Sequence, residues 1–113
     1  MCTQSQLNIL LRSISDIYKG VYGNDIVKIM LYGSYARGTH DEDSDIDIVA
    51  IVHGERYSLQ KKLEQVWEKT HDLGLEYDTI LSPTVIPYDE FMEYKEVIPY
   101  YRNIDREGVS IVA

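Results

Sequence analysis

The sequence predicts an α/β fold, with a small mixed sheet flanked by helices. Apolar runs at Ile26–Tyr32 and Ile46–Val52 have the length of strands, and the second is almost continuously apolar, as a strand buried on both faces should be. Apolar residues three and four positions apart precede the first run and follow the second, which is the pattern of amphipathic helices. Helices that alternate with strands along one chain are typical of a sheet covered by helices.

The first half of the chain is predicted from local patterns. Residues 3–19 form a helix that ends at Gly20, and its apolar face contains Leu7, Leu10, Leu11, Ile14, Ile17 and Tyr18. Four elements follow in order, namely strand Ile26–Tyr32, a short helix over residues 34–38, a polar loop over residues 39–43 and strand Ile46–Val52.

The second half is predicted in the same way. A helix over residues 58–71 turns Leu59, Leu63, Val66, Trp67 and Thr70 inward. After a turn at Gly74, residues 76–81 are expected to form the third strand, and the prolines Pro83 and Pro87 indicate a loop. The last elements are a helical segment over residues 88–97, a helix from Pro99 to Gly108, and a final strand or extended tail over residues 109–112.

A Gly-Ser turn and a pair of aspartates form the candidate site. Gly33 and Ser34 follow the first strand directly, and ten residues separate Ser34 from Asp45. Because side chains alternate along a strand, Asp45 and Asp47 point to the same side. Their mutual repulsion favours a divalent cation, and Mg²⁺ prefers carboxylates, water and phosphate oxygens. A solvated acidic loop over residues 41–45 is the alternative interpretation.

The residues around this pair suit a nucleoside triphosphate. Gly33 permits close approach of the backbone to phosphate, Ser34 supplies a hydroxyl and Arg37 a fixed positive charge. Ser44, which opens the Ser-Asp-x-Asp motif, is counted with them as a phosphate-binding candidate. With two Mg²⁺ ions, such a site activates an attacking oxygen and stabilises the leaving pyrophosphate.

This combination resembles the nucleotidyltransferase superfamily that includes DNA polymerase beta, and more narrowly the minimal nucleotidyltransferases (MNT proteins). The family signature is Gly-Ser, about ten residues, Asp-x-Asp and a third carboxylate on a later strand; Gly33, Ser34, Asp45 and Asp47 match its first two parts. Residues 99–108 also resemble the end of many MNT chains. The resemblance implies the palm-like fold of DNA polymerase beta, ATP as substrate, and Asp78 as the third catalytic and metal-binding carboxylate. Glu76 is the alternative to Asp78.

The resemblance also implies a partner. MNT chains of this length commonly occur with a small helical HEPN toxin, and some silence it by adenylylating a tyrosine, so the chain resembles an antitoxin of that kind. Two alternatives stay open: neutralisation of the partner by contact alone, without turnover, and a stand-alone transferase acting on a small molecule.

Composition limits the other possibilities. With 113 residues the chain is expected to form a single domain over 1–113 that borrows its substrate-recognition surface from a partner or from a copy of itself as a homo-oligomer. Nineteen acidic against 11 basic side chains give a net charge of −8, which disfavours direct nucleic-acid binding and suits a basic protein partner. One cysteine, no apolar run of membrane-spanning length and no signal-peptide pattern predict a cytoplasmic protein. Ten tyrosines, with Tyr94, Tyr100 and Tyr101 close together, favour a protein interface.

Overall fold

A computed structural model describes residues 4–38 and 45–111 of the chain. Its helices are α1 (Gln4–Tyr22), α2 (Ser34–Arg37), α3 (Arg56–Tyr77), α4 (Tyr88–Tyr94) and α5 (Pro99–Glu107). Its strands are β1 (Ile26–Tyr32), β2 (Ile46–Val52), β3 (Leu81–Pro87) and β4 (Val109–Ser110). A single 3₁₀ turn over Gly23–Asp25 connects α1 to β1. The predicted bounds of β1 and β2 are therefore confirmed, whereas the predicted loop over residues 39–43 lies outside the described residues.

The four strands form one mixed sheet in the order β3-β2-β1-β4. Strand β2 runs antiparallel to β1 and parallel to β3, while β4 pairs antiparallel with the last part of β1. The predicted α/β fold with a small mixed sheet and flanking helices is confirmed. The last residues of β1 and the first residues of β2 and β3 consequently lie together at one end of the strands.

Both faces of the sheet are buried under helices. On one face, Ile46, Ile48 and Ala50 pack in a cluster with the apolar residues of α1 and α3. On the other face, Val49 and Ile51 pack with Met30, Ile86, Phe91, Tyr101 and Ile104, which brings α4 and α5 onto the sheet. This two-sided burial explains why β2 is continuously apolar after Asp47. Polar side chains that could form a site are therefore confined to the ends of the strands.

Buried tyrosine hydroxyls attach α1 to its neighbours. The Tyr18 hydroxyl accepts from the backbone N–H of Thr84 at 3.0 Å and donates to the Thr84 carbonyl at 2.9 Å. The Tyr22 hydroxyl donates to the Leu59 carbonyl on α3 at 2.7 Å. Burial raises the pKa of Tyr18, and it raises the pKa of Tyr22 to about 12. Tyr18 therefore fixes the backbone of β3 at Thr84, next to the candidate site.

The prediction of the third strand was wrong. Residues 76 and 77 form the last part of α3, which extends well beyond the predicted end at residue 71, and β3 begins only at Leu81. Asp78 ends the helix in the left-handed conformation, at φ 51° and ψ 50°, and Thr79 N–H donates to the Gly74 carbonyl at 2.9 Å. Leu81–Pro87 is a strand despite its two prolines because β3 lies at the edge of the sheet, where a missing N–H is tolerated.

Two further details of the prediction change. Trp67, expected to face inward on α3, has 48% of its surface exposed, while Leu59, Leu63, Val66 and Thr70 are buried as expected. The helix begins at Arg56 because the Glu55 carboxylate accepts from the backbone N–H groups of Tyr57 and Ser58.

Across the described parts of the chain, every helix is too short or too polar to cross a membrane.

Candidate active site

The sheet brings the Gly-Ser turn and the aspartate pair together, as predicted. Tyr32, the last residue of β1, pairs with Asp47 on β2. Gly33 and Ser34 follow Tyr32, and Asp45 immediately precedes β2. The antiparallel pairing of β1 and β2 therefore places these residues together at one end of the two central strands.

Gly33 and Asp47 are in direct contact. Gly33 has a φ of +78°, which favours glycine over residues with a side chain. A Cβ atom at this position would lie 2.6 Å from Oδ2 of Asp47, far below van der Waals contact. Only glycine allows the carboxylate to sit against the backbone of this turn. This contact is the geometric feature that ties the two halves of the sequence motif to one site.

The backbone places the other phosphate-binding candidates beside this contact. Ser34 and Arg37 are the first and last residues of α2, which starts directly after Gly33. Tyr35 and Ala36 of the same helix pack on the core cluster beneath α1. The apolar residues of α2 therefore anchor the turn to the core. Ser44, the remaining candidate, lies outside the described residues.

The two aspartates differ in their surroundings. Asp45 is exposed, whereas Asp47 is half-buried beneath Gly33. One exposed and one half-buried carboxylate beside the glycine turn suit Mg²⁺, which keeps several water molecules and adds phosphate oxygens to one or two carboxylates. The residues present thus fit a Mg²⁺-nucleotide, and Asp45 and Asp47 are the candidate ligands.

Among the described residues, no third carboxylate joins this pair. Asp78 and Glu76 were both expected on a strand beside β2, but Glu76 is exposed on the last turn of α3 and Asp78 is its exposed cap. The residue that pairs with Asp47 on β3 is Ser82. Within residues 4–38 and 45–111, no three acidic, histidine or cysteine side chains are grouped so as to hold a metal ion. A metal role for Asp78 stays a prediction without support from its position.

Two tyrosines at the site were missed by the sequence analysis. Tyr32 pairs with Asp47, and the ring of Tyr100 from α5 packs edge-on against the ring of Tyr32, with centroids 5.9 Å apart. Burial raises the pKa of Tyr100, electrostatic interactions with Tyr32 and Asp47 raise it further, and a hydrogen bond from the Thr84 side chain opposes them. Tyr32 could have been found from its place before Gly33, but Tyr100 reaches the site only through the packing of α5.

A glycine turn against an aspartate pair, on a mixed sheet covered by helices, is the arrangement that the sequence analysis expected of a small α/β nucleotidyltransferase. A family model described as a nucleotidyltransferase domain matches residues 7–109. The chain belongs to this family of nucleotidyltransferases, which confirms the resemblance identified from Gly33, Ser34, Asp45 and Asp47.

Relatives in one archaeon are similar over most of their length. "Putative protein adenylyltransferase MJ0141" of Methanocaldococcus jannaschii is 34% identical over 102 residues, which are 88% of this chain and 89% of the relative. "Putative protein adenylyltransferase MJ1379" of the same organism is 36% identical over 86 residues, covering 75% of this chain and 84% of the relative. The range matched by the family model, residues 7–109, contains the strands and the glycine turn of the candidate site.

Two solved structures share the fold. A toxin–antitoxin crystallised with AMP-PNP has a TM-score of 0.57 at 17% identity, covering 94% of this chain and 73% of its own. A mutant of the toxin–antitoxin MntA–HpeT has a TM-score of 0.53 at 16% identity, covering 99% of this chain and 74% of its own. At these identities the likeness shows a common fold.

Proposed function

We propose that this chain is a Mg²⁺-dependent protein adenylyltransferase that acts as an antitoxin. It transfers AMP from ATP to a hydroxyl of a partner protein, which we infer to be a tyrosine of a HEPN-type toxin. Membership of the nucleotidyltransferase family, the names of the archaeal relatives and the toxin–antitoxin identity of the structural neighbours support this proposal. The observation that carries it is the contact between Gly33 and the Asp47 carboxylate.

The residues of the chain have separate tasks in this proposal. Asp45 and Asp47 hold Mg²⁺, which when bound neutralises charge on the triphosphate and on the leaving pyrophosphate. Backbone N–H groups of the turn at Gly33 would hold the phosphates together with Ser34 and Arg37. The tyrosine oxygen of the partner attacks the α-phosphorus, and the bond from that phosphorus to pyrophosphate breaks. The phenolic proton passes to water.

A direct test follows the mass of the partner protein. The chain is co-expressed with the product of the neighbouring gene, and the purified complex is incubated with ATP and Mg²⁺ before intact-protein mass spectrometry. We expect the mass of one or more AMP groups on the partner. A double variant, Asp45→Asn with Asp47→Asn, should abolish the addition, because loss of metal-held charge stabilisation costs orders of magnitude in rate.

A matched control distinguishes an effect of the site residues on labelling from an effect of the total charge. Asp16→Asn with Asp72→Asn changes the charge by the same amount at two exposed positions on α1 and α3. This control should label the partner at the wild-type rate. Equal labelling by the wild type and the Asp45/Asp47 double variant would contradict the proposed site, and absence of any AMP on the partner would contradict protein adenylylation.

Neutralisation by contact alone is the second candidate function. The observation in its favour is that the described residues bring no third carboxylate to Asp45 and Asp47. Under this function, the Asp45/Asp47 double variant still forms the complex and still suppresses the partner's toxicity in a growth assay. Loss of suppression with the complex intact favours transfer of AMP.

A further inference from the structure

A tyrosine of the chain itself, Tyr100, lies close to the candidate site. Tyr100 is in the first turn of α5, which begins at Pro99. Its ring packs against Tyr32, and Tyr32 is the residue that pairs with Asp47 across the two central strands. Because Gly33 follows Tyr32 and contacts Asp47, Tyr100 packs against a residue that adjoins both parts of the candidate site.

The surroundings of Tyr100 are polar on the site side and open to solvent. Its hydroxyl interacts with the Thr84 side chain on β3, the strand that runs beside β2. Of its surface, 42% is exposed. A tyrosine that only filled the core would be covered, as Tyr18 is at 0% exposure. Tyr100 therefore combines a ring held against Tyr32 with a partly exposed surface.

We propose that the chain adenylylates its own Tyr100. In this step the Tyr100 oxygen attacks the α-phosphorus of ATP, the bond between that phosphorus and the pyrophosphate oxygen breaks, and pyrophosphate leaves with the bonding electrons. The phenolic proton goes to water, and the product is a tyrosine–AMP phosphodiester. This inference rests on the proposed nucleotidyltransferase function and adds an acceptor within the chain.

Self-modification at this position has a mechanical consequence. An AMP group on Tyr100 would lie over Tyr32 and Asp47, in the space that the incoming nucleotide and the partner's hydroxyl must share. The modified chain would consequently be closed to further transfer. The reaction limits turnover when ATP is present and the partner is absent.

The test uses the full chain without its partner. Purified protein is incubated with ATP and Mg²⁺, digested, and the peptide carrying AMP is identified by mass spectrometry. Label on Tyr100 is expected in the wild type, and its loss is expected in Tyr100→Phe, which keeps the ring contact with Tyr32. Tyr94→Phe is the matched control, because Tyr94 lies at the end of α4 with 41% of its surface exposed. It should label like the wild type.

A mixing experiment tests whether transfer occurs within one chain. Tyr100→Phe supplies an intact site, and the Asp45/Asp47 double Asn variant supplies an intact Tyr100. Transfer within one chain predicts no label on either protein in the mixture. Label on Tyr100 of the double variant would overturn this geometry, since it would show transfer between molecules.

The outcomes distinguish this inference from the proposed function. An unlabelled chain together with an AMP-labelled partner would overturn the Tyr100 inference and leave protein adenylylation standing. An unlabelled chain and an unlabelled partner would overturn both. Label on a residue other than Tyr100 would overturn the inference as well. Label on Tyr100 that disappears in Tyr100→Phe and in the Asp45/Asp47 double variant would support it.

Discussion

Replacing Gly33 by alanine tests the contact on which the site depends. The new Cβ would lie 2.6 Å from Asp47 Oδ2, and ordinary van der Waals contact begins at 3.4 Å, so the carboxylate must retreat by roughly 0.8 Å. A displacement of about 1 Å in a reacting group typically costs about 100-fold in rate. Holding alanine in the left-handed region also costs about 1–2 kcal/mol of stability. We expect Gly33→Ala to lose both activity and stability.

A second glycine separates these two effects. Gly23 has a φ of +60°, and a Cβ there would meet nothing within 4 Å. Gly23→Ala therefore carries the backbone cost without the collision and should lose about 1–2 kcal/mol of stability with its activity intact. Thermal unfolding measures the stability of both variants, and the rate of AMP transfer to the partner measures their activity.

The comparison has a clear point of failure. If Gly33→Ala transfers AMP as fast as Gly23→Ala at a temperature where both are folded, the position of the Asp47 carboxylate does not matter for the reaction. The assignment of the active site to the strand ends around Gly33 and Asp47 would then be refuted. A loss of transfer with unchanged ATP binding would instead place the defect in the reacting geometry.

Three further predictions concern single side chains. Ser15→Ala should raise the free energy of unfolding in urea by about 1 kcal/mol, because the Ser15 hydroxyl is buried and has no hydrogen-bond partner among the described residues; a loss of stability would contradict this. Asp78→Asn should leave AMP transfer unchanged, since the residue is an exposed helix cap and asparagine tolerates its backbone, and a large loss would restore its predicted metal role. Hydrogen bonds from Arg56 and Tyr101 lower the pKa of Glu90, so its contribution is present above the unfolded pKa and lost as the pH falls. Unfolding at several pH values should therefore show Glu90→Gln less stable by up to about 1 kcal/mol near neutrality. The difference should shrink as the pH falls through the lowered pKa of Glu90, and a difference that is constant with pH would contradict the assigned cause.

Strands β1 and β2 could be predicted to the residue because their signals are local. Each is an apolar run bounded by residues that interrupt it, Gly33 after β1 and Asp45 before β2. The turn at Gly33 that follows β1 could be predicted as well, since glycine readily adopts the left-handed backbone found there. Sequence reasoning succeeded where local pattern and tertiary structure agree.

Strand β3 could not be predicted because its signals conflict with its position. The alternating residues 76–81 look like a strand, but the helix continues through them until Asp78 adopts the left-handed conformation. Pro83 and Pro87 look like loop residues, yet an edge strand tolerates them because its outer side needs no N–H donor. Whether β3 lies at an edge or in the centre is decided by the whole sheet.

The position of β3 bears directly on function, because β3 supplies the residue that pairs with Asp47 on the side away from β1. In the described residues that neighbour is Ser82, and Tyr100 approaches from α5. A hydroxyl cannot replace the negative charge of a carboxylate, so among the described residues the proposed Mg²⁺ site would rely on Asp45 and Asp47, with water and the phosphates of the nucleotide completing it. A site of that kind should bind Mg²⁺ weakly alone and tightly with ATP, which makes the nucleotide a part of the metal centre.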